Sequence, residues 1–255
     1  MAAIDSLAWL RTACAGYRFE PVAVFRDRTD PPASNQWPLT ANDQNELVGK
    51  LRDLGYFLPL PREPAALANV IEVSVSDFLA ERAAAAGIGF TRGRERSYPD
   101  FELHGPAVNN EAIAVDIKVA RRKHTSKNTE SRITLYTGNT YFKYDSLAWP
   151  GNLRPFADYG RHLDVIILYS HGTDSDSGVS NVEIIVQEAW TIASRQRSST
   201  TREYIGAVRS VEALRAGKGE FKTQAEFYKY WRAYGFKVGR AVSQQLEKAL
   251  KQAAK

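Results

Sequence analysis

The chain has 255 residues, 44% hydrophobic and 11% aromatic, enough to bury the core of one large domain or of one domain with a smaller lobe. Its net charge of +5 and isoelectric point of about 9.2 weakly favour a polyanionic partner. One cysteine excludes an internal disulfide and a cysteine-rich zinc site. The sequence shows neither a run of ~20 apolar residues nor a secretory leader, and we therefore expect a cytoplasmic protein with no membrane association.

Helices are predicted in the first third of the chain. Residues 3–17 and 45–57 carry apolar side chains at helical spacing, and a Pro-, Asp- and Asn-rich loop separates them. A third helix is predicted from Ala65 to Ala86, with Gly87 at its C-terminal end. Its inward-facing residues are Leu67, Ile71, Val75, Phe78 and Leu79.

Strands dominate the middle of the chain. Residues 98–105 and 111–120 flank a turn-rich segment and predict a hairpin, because the second stretch alternates apolar and polar side chains. Residues 161–171 and 182–190 are continuous apolar runs, typical of strands buried on both faces. Residues 191–206 are interpreted as a polar loop, and three further helices are predicted after it.

The predicted hairpin carries two aspartates and a lysine. Side chains two positions apart on a strand point to the same face, so Asp116 and Lys118 share one side, and Asp100 on the neighbouring strand can approach Asp116. Two carboxylates that meet repel unless a cation separates them, and Mg²⁺ takes hard oxygen ligands. A nearby lysine can stabilise charge on a phosphate, so the set predicts metal-dependent phosphodiester hydrolysis.

An acid-x-Lys triplet alone is weak, since Glu220 to Lys222 forms a second one. The triplet from Asp116 to Lys118 differs because it lies on an alternating strand, because a Pro-Asp pair precedes it, and because turn-forming residues lie between the two. The alternative interpretation is that both acids are solvated and that Lys118 merely pairs with Asp116.

These residues resemble the PD-(D/E)xK nuclease core, and more narrowly the EcoRV-like type II restriction endonucleases. The motif "YPDFEL…IAVDIK" carries the resemblance, and similarity extends in the same order through "RPFADYGRHLDVIILYSH", "IIVQEAWTIAS" and "AGKGEFKTQAEFYKYWRAY". The resemblance implies that Asp100 and Asp116 bind the metal, that Lys118 is catalytic, and that Glu72 on the third helix contributes to the metal site. The alternative for Glu72 is an exposed acid on an amphipathic helix.

The resemblance also implies residues that bind DNA. The loop over 197–203 corresponds to the family's major-groove loop, but Ser, Thr and Arg replace a Gly/Asn-rich segment, which predicts a different recognition sequence with more G·C. Arg202 could instead clamp a phosphate. The basic turn over 91–97 and the basic cluster after Lys118 are expected at the DNA backbone. The DNA-binding candidates are Ser198, Ser199, Thr200, Thr201, Arg202, Arg94, Arg96, Arg121 and Arg122.

The sequence thus predicts an α/β fold with a mixed central β-sheet flanked by helices. Residues 1–65 are predicted to form an N-terminal extension, which could help dimerisation, and residues 66–255 the catalytic and DNA-recognition domain. The expected activity is Mg²⁺-dependent cleavage of double-stranded DNA at a palindrome by a homodimer, with a methyltransferase partner implied by the resemblance alone. The alternatives are a structure-selective or repair nuclease with the same core and a non-catalytic DNA-binding protein.

Overall fold

A five-stranded mixed sheet forms the centre of the structure, a computed structural model that describes residues 3–19, 41–53, 64–94, 97–123, 127–138, 140–171 and 179–253. Its strands lie in the order β1, β2, β3, β5, β6. All neighbours are antiparallel except β3 and β5, which are parallel and pair Asp116 with Asp164. The strand bounds are β1 Gly89–Arg92, β2 Phe101–His104, β3 Ile113–Arg121, β5 Arg161–His171 and β6 Val179–Glu188.

Helices lie against both faces of this sheet. The first and third helices pack on one face, where Ile71 of the long helix belongs to the same buried cluster as Ile113 and Val165 of the strands. The fifth helix packs on the other face through Phe227 and Trp231. The helix bounds are α1 Ser6–Ala15, α2 Gln44–Asp53, α3 Pro64–Ala85, α4 Val211–Ala216, α5 Gln224–Ala233 and α6 Arg240–Ala253. The predicted α/β fold with a mixed, helix-flanked central sheet is confirmed.

The local predictions for α3 and for the hairpin are also confirmed. Four of the five side chains predicted to face inward from α3 are fully buried, Phe78 is half-buried, and Gly87 has the positive φ of +68° that ends many helices. Strands β2 and β3 pair antiparallel, with Phe101 opposite Val115. Residues 172–178 between β5 and β6 lie outside the described residues, as does most of the predicted loop between α1 and α2.

A second sheet was not predicted. Strands β4 (Thr134–Thr137), β7 (Ala193–Arg197) and β8 (Tyr204–Ala207) form it in the order β4, β8, β7. The interpretation of residues 191–206 as one polar loop is therefore wrong, because a hairpin occupies most of that stretch. The exposed side of β7 is polar while Ala193 and Ser194 are buried, so the stretch lacks the apolar alternation that marks a strand in sequence.

Helix α1 belongs to the same core as α3 and the central sheet. Asp5 caps its N-terminus by accepting a hydrogen bond from the Ala8 amide, and Leu10 and Cys14 are buried among residues of α3 and the strands. The Ile4 amide donates to the Ala107 carbonyl at 2.8 Å. The domain boundary near residue 65 remains a prediction. No helix within the described ranges is long and apolar enough to cross a membrane.

Candidate active site

Strand β3 directs the acid and the lysine of the motif to one place. Ile113, Val115 and Ile117 pack into the core on the α3 side, so the alternation sends Asp116 and Lys118 to the opposite face. The Lys118 ammonium contacts the Asp116 carboxylate directly, and their side chains are 21% and 8% exposed. The predicted pairing of these two residues on one face is thus present.

Asp100 lies where strand β2 begins and reaches across to β3. Its Oδ2 accepts a hydrogen bond from the Ile117 amide at 2.5 Å, so the carboxylate satisfies a backbone donor beyond the end of the β2–β3 pairing. Burial first, and then the neighbouring Asp116, raise the pKa of Asp100 to about 8. The Asp100 carboxyl is therefore harder to ionise than an ordinary aspartate.

The charge of Lys118 is maintained by its surroundings. Burial opposes the charged ammonium, but the carboxylates of Asp116, Asp100 and Asp164 outweigh that effect and raise the pKa of Lys118. A lysine held in its charged form can stabilise negative charge and cannot serve as a general base at neutral pH. This distinguishes an electrostatic role from proton abstraction.

Glu72 lies half-buried on α3 and interacts electrostatically with this set. Burial raises the pKa of its carboxyl, Lys118 lowers it and Asp116 raises it again. These interactions bring Glu72 into the neighbourhood of the two β3 residues, although it belongs to a helix that packs on the opposite face of the sheet. Contacts and strand geometry thus bring Asp100, Asp116 and Lys118 together, whereas only an electrostatic interaction connects Glu72 to Asp116 and Lys118.

The sequence interpretation missed a third aspartate beside the site. Asp164 lies on β5 in register with Asp116, is 1% exposed, and its Oδ2 has no hydrogen-bond partner among the described residues. Burial raises the pKa of Asp164 well above its ordinary value; Lys118 lowers it and Asp116 raises it. In sequence Asp164 interrupts an otherwise apolar run, which was the one signal available for it.

Buried aromatic rings flank the carboxylates. Tyr98 immediately precedes the Pro-Asp pair, stacks on Tyr141 at 4.7 Å, and its hydroxyl lies 2.6 Å from Nδ1 of His162. Burial lowers the pKa of His162 to about 3, so this histidine is neutral over the physiological range. Burial and then several neighbouring groups, Asp116 among them, raise the pKa of both tyrosines. These rings lower the local dielectric constant, which strengthens every charge interaction at the site.

A divalent cation fits the chemistry of this site. The part of the chain that the structure describes contains no group of three or more His, Cys, Asp and Glu side chains arranged to hold a metal ion by themselves. The Asp100 and Asp116 pair nevertheless matches Mg²⁺, which binds through one or two carboxylates and keeps its remaining positions for water and phosphate oxygens. Asp116 raises the pKa of both Asp100 and Asp164, so a bound cation would relieve the mutual repulsion of these carboxylates.

The loop predicted to read DNA bases forms the tip of the β7–β8 hairpin. Arg197 pairs with Glu203 at 3.2 Å across its base, and Ser199 Oγ accepts hydrogen bonds from the amides of Thr201 and Arg202, both at 3.2 Å. Ser198 Oγ lies 2.7 Å from Thr134 Oγ1. The exposed side chains at the tip are Thr200, Thr201 and Arg202. The loop is therefore ordered by its own contacts, with Arg202 positioned 5.8 Å over the Tyr204 ring.

The remaining DNA-binding candidates differ in whether their guanidinium groups already form an ion pair with a carboxylate. Arg94 is exposed just after β1, and Arg96 lies outside the described residues. Arg121 forms an ion pair with Glu130, with Nη2 and Oε1 at 2.6 Å, and Arg122 forms one with Glu183. Both of these cations are thus already partnered by carboxylates.

Comparison with known proteins agrees with this geometry. A model of the restriction endonuclease EcoRV family matches residues 33–253. The chain is also 24% identical over 210 residues to the type II restriction enzyme EcoRV of Escherichia coli, an alignment that covers 76% of this chain and 84% of that enzyme. The family match spans most of the chain, including the hairpin with its aspartates and lysine and the β7–β8 loop. The chain therefore belongs to the EcoRV family of type II restriction endonucleases.

Proposed function

We propose that the protein hydrolyses phosphodiester bonds of double-stranded DNA at a short palindromic sequence, with Mg²⁺ as cofactor and as a homodimer. The observation that carries the proposal is the convergence of Asp100, Asp116 and Lys118 on one face of the central sheet. Two acids facing a phosphate would only weaken binding in a protein that lacked chemistry, because they repel the DNA backbone.

Each residue of the set has a proposed role. Asp100 and Asp116 would hold the ion, and Glu72 would contribute from α3. When bound, Mg²⁺ supplies Lewis-acid polarisation of the scissile phosphate and of the attacking water. Lys118 stabilises the charge that develops on the phosphate oxygens during in-line displacement. Family resemblance supports products with 5′-phosphate and 3′-hydroxyl ends and a blunt cut at the centre of the site.

Sequence recognition is assigned to the β7–β8 loop. Arg202 is exposed and lies over the Tyr204 ring, which supports bidentate pairing with guanine O6 and N7 in the major groove. A palindromic site follows from a two-fold dimer, since each subunit presents one active site to one strand. A cognate methyltransferase would protect host DNA, and residues 1–65 are proposed as an extension of the catalytic domain.

Digestion of one plasmid of known sequence tests this proposal. Wild type and Asp116→Asn are incubated with Mg²⁺, with Ca²⁺ and with EDTA, and the fragment ends are sequenced. We expect discrete fragments only for wild type in Mg²⁺, with ends that share a palindrome. Random degradation would support a structure-selective or repair nuclease instead, and DNA binding without any cutting would support a non-catalytic binder.

A further inference from the structure

The contact between Lys118 and Asp116 conflicts with the metal-binding role assigned to Asp116. The ammonium occupies the Asp116 carboxylate in this structure. A divalent cation on the same carboxylate would repel that ammonium at short range, in a site where burial weakens dielectric screening. A bound cation would therefore weaken the contact between Lys118 and Asp116.

Asp164 offers a second place for the ammonium. Because β3 and β5 are parallel neighbours, the in-register pairing of Asp116 with Asp164 puts both side chains on the same face, about 4.8 Å apart at the backbone. Lys118 is paired with Ile166, two residues further along β5. The lysine ammonium is attached to a flexible four-carbon chain, so it can move between carboxylates on adjacent strands without movement of the backbone.

The burial and the hydrogen bonding of the Asp164 carboxyl indicate that it pairs with another group in a second conformation. It is 1% exposed and its Oδ2 makes no hydrogen bond within the part of the chain that the structure describes, whereas most buried polar atoms in proteins are satisfied. Burying a carboxyl without a partner is costly, and Lys118 is the positively charged group that lowers the pKa of Asp164. A second conformation in which Asp164 is paired would remove that cost.

We propose that Asp164 is a positioning residue that accepts the Lys118 ammonium when a divalent cation occupies Asp100 and Asp116. The inference rests on the proposed function, because it presupposes that these two aspartates bind the metal. In this arrangement Asp164 keeps Lys118 charged and close to the site after the cation displaces it, and it lowers the cost of metal binding by giving the ammonium a new partner.

Two other roles for Asp164 make different predictions. If Asp164 binds the cation directly, its removal weakens metal binding whether or not Lys118 is present. If Asp164 serves only the packing of the sheet, its removal lowers thermal stability and leaves metal affinity unchanged. Only the proposed role makes the effect of Asp164 on metal binding depend on Lys118.

A double-mutant cycle on metal binding separates these roles. Mn²⁺ affinity of the DNA-free protein is measured by electron paramagnetic resonance for wild type, Asp164→Asn, Lys118→Gln and the double variant. We expect Asp164→Asn to weaken Mn²⁺ binding about ten-fold with Lys118 present and less than about two-fold in the Lys118→Gln background. Glu102→Gln is the matched control, since it makes the same change at another buried carboxylate, one whose partner is Arg154 at 2.7 Å. Equal weakening in both backgrounds, or none, overturns the proposal.

A crystal structure of wild type with Ca²⁺ provides a test that needs no variant. We expect the Lys118 ammonium within hydrogen-bond distance of Asp164, and an ammonium that stays on Asp116 beside the bound cation overturns the proposal. Failure of the proposed function would look different. Wild type would then bind no Mn²⁺ at Asp100 and Asp116 or would leave DNA uncut, whereas failure of the switch alone leaves an active enzyme with additive effects.

Discussion

Lys123 is expected to make the largest contribution to DNA binding among the three consecutive cations Arg121, Arg122 and Lys123, which begin at the last residue of β3. Arg121 is paired with Glu130 and Arg122 with Glu183, so bringing either one to a phosphate requires breaking an ion pair. Lys123 is exposed and acts on Glu130 only electrostatically, whereas Arg121 contacts that carboxylate directly. Replacing Lys123 with Gln should therefore reduce the salt dependence of DNA binding more than replacing either arginine.

The magnitude follows from counterion release. Each phosphate contact contributes roughly 0.9 to the slope of log K against log salt concentration. Loss of the Lys123 contact should make that slope shallower by about 0.9 per subunit. Between 50 and 200 mM salt, the affinity of Lys123→Gln for DNA should then fall about 3.5-fold less per subunit than the affinity of wild type. Arg121→Gln and Arg122→Gln should each change the slope by less than about half as much, because a carboxylate already neutralises these cations.

Fluorescence anisotropy with a labelled duplex that contains the mapped cleavage site, in Ca²⁺ and over a series of salt concentrations, gives the slopes directly. Equal slopes for wild type and Lys123→Gln would refute the assignment of Lys123 to the DNA backbone. A larger loss for either arginine would show that its ion pair opens on DNA, and would reverse the order derived from the structure.

Three further predictions concern the site and the fold. Asp116→Ala should abolish cleavage while leaving duplex binding in Ca²⁺ within a few-fold of wild type, and retained cleavage would refute the site. Hydrogen bonds from Arg215 and then Arg122 outweigh burial and hold the pKa of Glu183 at about 2, below its ordinary 4.5. The ion pairs therefore stabilise the fold at neutral pH, and they lose that effect as the pH falls from 4.5 towards 2. Glu183→Gln should thus lower the free energy of unfolding by about 1–2 kcal/mol at pH 7 and by less at pH 3 in urea titrations, and a pH-independent difference would contradict this. Burial raises the pKa of Cys14 to about 12, so a maleimide should label the thiol slowly in native protein and rapidly in denaturant, and fast native labelling would show that α1 does not pack as described.

Local patterns in the sequence were sufficient for the helices and for the central part of the site. The 3.6-residue spacing of Leu67, Ile71 and Val75 identified the buried side of α3, because helix periodicity depends only on neighbouring residues. The two-residue alternation of β3 likewise put Asp116 and Lys118 on one face, and the turn before β3 indicated the hairpin that brings Asp100 to them.

Tertiary structure decided the features that depend on residues far apart in the chain. Asp164 joins the site only because β3 and β5 pair in parallel with a particular register, and within its own apolar segment it looked like part of a buried strand. The carboxylate partners of Arg121 and Arg122 come from Glu130 and from β6, so a basic run that looked free in sequence is largely neutralised in the fold. The β7–β8 hairpin forms because β4, more than fifty residues earlier, supplies the third strand, and such long-range pairing leaves little trace in local sequence. Sequence thus determined which side chains are candidates for the active site and which face of β3 carries them. Strand register and ion pairing, which are set by packing across the whole domain, determined what surrounds them.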